Sequence, residues 1–261
     1  MEVSNSKINE ILSNYSLNLE TDLKTRWNNW EKDLTKPEQY EVIGAILARQ
    51  ITIAKHFVSA SSMWNPHTAP ILLRSLADNY INFAWILESP IERSQKFIYY
   101  GLGQEKLQLA HRKNEMENRE PEENELLVIN SIEYWINSQQ YDFLTEVSLK
   151  SWSETSVRKM AEEANCIDFY NYVYQPFSVN SHNMWNHIGK YNVNVSKNPF
   201  HKFLKTPAIL KTNPDFHYVD LACKYTDKMF KLFDIKTKHK TSDKLAYDIY
   251  IDDLDKLKVT G

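Results

Sequence analysis

Glycine is scarce in this sequence, with 5 in 261 residues. Loops that cradle phosphates with backbone amides and tight two-residue hairpins both depend on glycine, so such devices are hard to build here. No Walker or dinucleotide fingerprint occurs. Cysteine is nearly absent. Cys166 and Cys223 have no metal-ligand spacing and do not make a disulfide framework. A basic excess is missing too: 31 Lys and Arg face 34 Asp and Glu, a net charge of −3. No global field therefore recruits nucleic acid, and any such binding needs a local patch. The N-terminus, MEVSNSKINEILSNY, has no basic leader followed by a long apolar run, so no signal peptide is expected. No stretch of about 18 uninterrupted apolar residues exists. A soluble, cytoplasmic protein without a membrane partner follows as the expectation.

What the chain does have is one very apolar helix. Thr68–Leu87 reads TAPILLRSLADNYINFAWIL, with Thr68 as N-cap and Pro70 in the first turn. Wound at about 100° per residue, its polar residues Arg74, Ser75, Asp78, Asn79 and Asn82 fall inside roughly 140° of arc. The remainder is apolar, which predicts a helix buried in the middle of a bundle. The polar strip lacks Lys and Glu, the usual residues of a solvated face. Arg74 and Asp78 stand one turn apart. They are either an internal bridge that fixes register or an anion-binding Arg held by Asp78.

The rest of the chain is helical by pattern. Helices are expected at Lys7–Tyr15, Glu20–Leu34, Glu38–Ser61, Ile91–Asn118, Glu122–Asn137, Ser153–Asn165 and Asp215–Phe233. Residues 189–214 read as a long loop with a turn near Phe200–Leu204, and a loop of that length is usually functional or mobile. The tail from Asp234 starts with a basic run, and its later part fits a strand or a helix. The fold class is therefore all-α, a multi-helix bundle around a buried central helix at about residues 68–88. A single domain spans residues 1–235, followed by a tail at 236–261.

A second informative stretch runs from Asp168 to Ile188. Pro176 is expected to break it into two helical pieces. On the second piece, Ser178 and Asn186 lie within about 40° of His182. Asn180, Asn183 and His187 form another strip. Two His, one Ser and three Asn within residues 180–187 match the short polar chemistry of the central helix. Arg74, Asp78 and His182 are thus the candidate catalytic set, with Ser178, Asn186 and His187 as additional candidates. Arg49 and His56, seven residues apart on one helix, are a second candidate pair flanked by Thr52 and Ser59.

Two resemblances bear on function. The Arg74–Ser75–Leu76–Ala77–Asp78 helix, with Ser178 and His182 far downstream, resembles an uncharacterised bacterial family of all-helical proteins over about residues 40–235. That family carries an Arg-Ser-Leu-x-[Glu/Asp] helix and a distal Ser-x-x-x-His segment; Asp78 stands where Glu is the commoner residue. More loosely, Arg49-QITIAK-His56 is similar to the Arg-x4-6-His motif of HEPN ribonucleases in phage-defence and toxin systems. Gln50 is a partial departure from the Asn, Asp or His usual after that Arg, and the motif lies early in the chain. The HEPN resemblance implies a helical, HEPN-like scaffold and metal-free RNA cleavage. In that chemistry His moves the proton and Arg clamps the phosphate. The expected function is a metal-independent ribonuclease-type effector of a phage-defence or toxin system, with RNA as partner. Arg74 with His182 is the favoured pair, Arg49 with His56 the other. The alternative is a non-catalytic helical module that holds a ligand or a partner protein, or a second copy in a homodimer, at the Arg/Asp/His pocket. No cofactor and no metal is expected, since no Glu-x-x-His pairs occur.

Overall fold

The computed structural model describes residues 2–117, 119–139, 152–240 and 244–259. The sequence also reads as loop-like at Lys150–Ser151–Trp152, and the first two of these residues lie outside the described ones. At the N-terminus the apolar face does not stop at Tyr15. Leu12, Tyr15 and Leu19 are all buried and recur at three- and four-residue steps. The intervening Ser16 turns its hydroxyl onto the Leu12 carbonyl, 2.9 Å away, within the helix. The two helices expected there are therefore one, α1 (Glu2–Asn29). The chain then turns, with the Asp33 carboxylate accepting from the backbone and hydroxyl of Thr35. Helix α2 (Pro37–Val58) follows, with its proline in the first turn. Trp27 of α1 lies against the bare backbone of Gly44, where an added Cβ would meet the ring at 2.6 Å. That close approach requires glycine there.

Helix α3 (Ala69–Glu88) is the expected central helix. Leu73, Leu76, Ala77, Ile81, Phe83 and Ile86 are fully buried. It packs against α2 and five later elements, so nearly every face meets protein. Thr68 does not cap it. The Thr68 hydroxyl donates to the Met63 carbonyl, and Asn65 Oδ1 instead receives the His67 and Thr68 amides. Next come α4 (Pro90–Met116), α5 (Glu123–Ser138) and α6 (Val157–Glu163).

A short α7 (Ile167–Phe169) runs through a π-helical turn, Tyr170–Tyr174, into α8 (Gln175–Ser181). Pro176 does not break this run. The wider π turn precedes it, and the proline sits in the first turn of α8, where its missing N–H removes no helical bond. The break falls instead at Asn183, whose φ is 51°. Helix α9 (Trp185–Tyr191) starts just beyond. Within the stretch expected to be loop, β1 (Val193–Val195) pairs antiparallel with β2 (Lys205–Pro207), Asn194 opposite Thr206. A turn of 3-10 helix, Pro199–His201, lies between them. These are the only strands among the described residues.

Helix α10 (His217–Thr237) returns to the core beside α3. The segment that fitted either a strand or a helix is α11 (Ala246–Val259). Its Ala246 and Tyr250, four residues apart, point into the core against α1. The Tyr250 hydroxyl donates to Asp220 at 2.6 Å, and the Ala246 amide donates to Asp22 at 2.9 Å. Lys236, Lys238 and Lys240 are exposed.

Charged joints lock this apolar assembly. Arg26 is the largest fully buried side chain, 1% exposed. It lies over the Phe230 ring and grips the Asp234 carboxylate of α10 through Nε and Nη2, at 2.8 and 2.7 Å. Arg93 of α4 stacks on Trp85 and pairs with Glu163 of α6, which also accepts the Trp85 indole N–H. The Arg26 joint ties two helices and the Arg93 joint three, each through one guanidinium, one aromatic face and one carboxylate.

Removing half of such a joint is worse than removing all of it, because a charge is left in a poorly solvated place. Arg26→Ala is expected to lower stability by about 3–5 kcal/mol. The double variant Arg26→Leu, Asp234→Leu should recover most of that loss. Urea unfolding followed by circular dichroism checks both, and equal damage in the single and double variants would contradict the assignment.

Candidate functional site

The π turn sets the geometry of the seam between α3 and α8. Phe169 rests on Tyr80 of α3, ring centroids 4.6 Å apart. At the other end, the Asn180 side chain donates to the Pro66 carbonyl at 2.9 Å. The two helices therefore run antiparallel. Between these contacts lies Arg74. Its Nε donates to the Ser178 hydroxyl at 2.7 Å, and its Nη1 is 2.6 Å from Asp78. The guanidinium carbon lies 3.2 Å from the centroid of the Tyr174 ring. Ser178 passes its own proton to the Tyr174 carbonyl at 2.9 Å. Burial, helped by Asp78 and opposed by Arg74, pushes the Tyr174 phenol up to about 12, so it stays protonated.

Arg74, Asp78 and Ser178 are thus brought together. The His182 side chain is not joined to them by any hydrogen bond or ion pair among the described residues. His182 caps the end of α8, its amide donating to the Ser178 carbonyl while the next amide, that of Asn183, donates to the Asn180 carbonyl, and its side chain is exposed. The antiparallel run carries it toward the start of α3, away from Asp78. Arg74 is 13% exposed and repeats the pattern of Arg26 and Arg93: guanidinium, aromatic face, carboxylate. An Arg held this way is a joint first, with little left for an incoming phosphate.

Asn186 and His187 belong to α9, beyond the Asn183 break, so the helical wheel that set them beside His182 and Asn180 does not apply. Asn186 is exposed. His187, expected on a strip with Asn180 and Asn183, is 8% exposed and meets His67 and Tyr191 edge-on or tilted, at 5.4 and 4.9 Å. These three rings fasten α9 to the turn before α3. A cavity of about 330 Å³ opens beside them, lined by Pro70, Phe177, Asn186, His187, Lys190 and Tyr218 among others. Burial, then His67, then Lys190 hold the His187 pKa below its usual value.

On α2, Arg49 and His56 are both exposed, on one face, and neither side chain has a hydrogen bond or ion pair with a described residue. Gln50 is turned the other way. It is buried and receives the Asn79 amide at 2.9 Å. His56 lines the largest of the described cavities, about 630 Å³, between α1 and α2. Its polar lining includes Asn9, Ser13 and Ser16 from α1 and Thr52, Lys55 and Ser59 from α2. Lys55 is paired with Glu20. Neither this cavity nor that beside His187 is lined by Arg74, Asp78 or His182.

Among the described residues no three His, Cys, Asp or Glu side chains are grouped to hold a metal ion. Both cysteines are buried, and burial pushes the Cys166 thiol up to about 11, which leaves it unreactive. No helix of the described residues is long and apolar enough to cross a membrane.

The two candidate pairs fall within one matched stretch of sequence, residues 40–199. The chain belongs to a family of unknown function, DUF5677. A family of unknown function matched in a helical chain agrees with the expectation of an uncharacterised helical family. No curated protein and no solved structure matches the chain. Within this member of DUF5677 the sequence reading missed Tyr174, which underlies Arg74. Its signal was present, since Tyr170, Tyr174 and Ser178 recur at four-residue steps. It also missed His67 and the α1 wall of the larger cavity, which no local spacing announces.

Two outcomes follow. Arg74→Ala and Arg74→Lys should both lower stability, by about 2 kcal/mol, because an ammonium cannot make the stacked fork. Thermal melts check this; an unchanged melting temperature would mean the joint carries no weight. For His187 the folded pKa lies below the unfolded value of about 6.5. Its contribution is complete above that value and is lost as pH falls through the depressed folded pKa. The melting temperature should therefore drop more between about pH 7 and about pH 5 in the wild type than in His187→Gln.

Proposed function

We propose that the protein is a metal-independent ribonuclease-type effector that works from the exposed face of α2. The observation that carries this reading is Arg49 and His56, two exposed side chains seven residues apart, with His56 on the wall of the largest described cavity. Seven residues advance about 10 Å along a helix and return to nearly the same face. Both side chains can then lean toward one phosphodiester. His56 takes the 2′-hydroxyl proton, and the oxygen attacks phosphorus. The bond to the 5′-oxygen breaks, and that oxygen takes a proton from solvent. The products are a 2′,3′-cyclic phosphate and a 5′-hydroxyl. Arg49 supplies the bidentate donors for the charge that builds on the phosphoryl oxygens. An imidazole suits this because its proton moves near neutral pH.

The locked state of Arg74 supports the same choice from the other side. A phosphate clamp must donate to its substrate, and Arg74 already donates to Asp78 and Ser178. RNA is plentiful in the cytoplasm, where such an enzyme would arrest its host as a phage-defence or toxin effector does.

The test pairs a growth-arrest assay with purified protein and end-labelled RNA in a chelating buffer. Wild-type protein should stop growth and leave cyclic phosphate ends. Arg49→Ala and His56→Ala should each lower cleavage by about 100-fold or more. Their melting curves should stay unchanged, since both side chains are exposed. Intact RNA and normal growth with the wild type would leave the non-catalytic module, holding a ligand or partner protein, as the function. Loss confined to a folded His182→Ala would move the site to the α3–α8 seam.

A further inference from the structure

From Phe169 to Pro214 the chain contains no Asp and no Glu, although the whole protein is net negative. The same 46 residues hold five lysines, Lys190, Lys197, Lys202, Lys205 and Lys211, all exposed. None of the five forms an ion pair with a described carboxylate. The hairpin at the centre of this stretch also displays apolar rings. Phe200 and Phe203 are 91% and 94% exposed, and Trp185 at its base is 66% exposed with the Lys205 ammonium 5.9 Å from its ring centroid.

The tip is held rigidly in this state. Asn198 Oδ1 accepts the Phe200 amide, and the Asn198 side-chain amide bonds His201 Nε2 at 3.1 Å. His201 Nδ1 then donates to the Ser196 hydroxyl at 2.8 Å. The Ser196 amide closes the turn onto the Leu204 carbonyl at 2.9 Å. Lys202 is kept at φ 51°, ψ −110°, a backbone region that L residues rarely occupy. A clamped imidazole and a strained lysine thus keep two phenyl rings in water, against the ordinary tendency to bury them.

We infer that this hairpin arm is a contact surface for an unpaired nucleic acid strand. Cations spaced among flat rings are what a single strand needs: ammonium groups follow the phosphates and bases stack on the rings. The exposed amides of Asn186, Asn194 and Asn213 add donors and acceptors suited to base edges. Those amides are out of place on a surface that enters acyl chains, where unsatisfied polar groups are costly. Pairing with a second copy through this face would set five lysines against five with no carboxylate between them. As the substrate-holding surface of a ribonuclease the arm rests on the reading above, but its binding does not need cleavage.

The experiment uses full-length His56→Ala protein, so that a strand is held and not cut, with fluorescein-labelled oligonucleotides of about 20 nucleotides. Fluorescence anisotropy should show binding to single-stranded RNA, and binding should weaken steeply between about 50 and 200 mM salt. Phe200→Ser with Phe203→Ser, and separately Lys197→Glu with Lys202→Glu and Lys205→Glu, should each weaken it about tenfold or more. All of these side chains are exposed, so melting curves should be unaltered in both variants. Equal affinity for single-stranded DNA supports a stacking surface without sugar readout. No binding to either strand, or binding that both variants leave intact, overturns the inference. Binding only to phosphatidylserine vesicles, or loss of a dimer as the only effect of the Phe variant, overturns it as well. Strand binding without cleavage by the wild type would retire the ribonuclease reading and keep this one.

Discussion

The structure depends on a helix that has almost no solvated face. Helix α3 is apolar over most of its circumference, and its polar strip has no Lys or Glu able to reach water over a neighbour. Such a helix is stable in water only if other elements surround it, and α2, α6, α8 and α10 do so. Each buried large side chain contributes about 1.5–3 kcal/mol, and α3 supplies Leu73, Leu76, Ile81, Phe83 and Ile86 to the core fully buried. The remaining helices are half-buried and polar on one side because they form the shell.

Burial on all sides creates a problem for the polar strip, and the shell resolves it in two directions. Asn79 turns to α2, where it meets the Ile46 carbonyl and Gln50. Arg74 turns to α8, where Ser178, Tyr174 and its own Asp78 receive it. The same chemistry recurs at Arg26 and Arg93. Directional guanidinium bonds fix the angle and register of a helix pair that apolar contact alone leaves free to slide. A charged pair inside a helical bundle is therefore weak ground for a catalytic site. Among the described residues, Arg49 and His56 on the α2 face and the five lysines of the hairpin arm take no part in such joints.

The fold was legible because its signals are local and repetitive. Apolar residues at three- and four-residue steps, prolines in first turns, and the absence of alternating strand patterns required an all-α bundle with residues 68–88 at its centre. The errors were also local in origin. A helical wheel drawn from Ser178 to Ile188 assumed one continuous helix. A left-handed Asn183 ended that helix, while a π turn made Pro176 harmless. One residue of altered φ took His187 off the strip expected with Asn180 and Asn183 and set it against His67 and Tyr191. The carboxylate-free run of residues 169–214 was open to view in the sequence. Its importance rests on its lysines and rings staying exposed, and composition does not report exposure.

By itself, the sequence determined the class of fold, the identity of the buried helix and the closeness of Arg74 to Asp78, because residues four apart on a helix are neighbours whatever surrounds them. It also determined that Arg49 and His56 share a face. Only the tertiary structure decided what those neighbours do. Whether Arg74 is free or committed depends on Tyr174 and Ser178, about a hundred residues away, and on the antiparallel packing that sets them beneath it. Whether His56 faces solvent or a cavity depends on how α1 lies along α2. Such contacts arise from packing between distant segments, and no spacing within one segment encodes them.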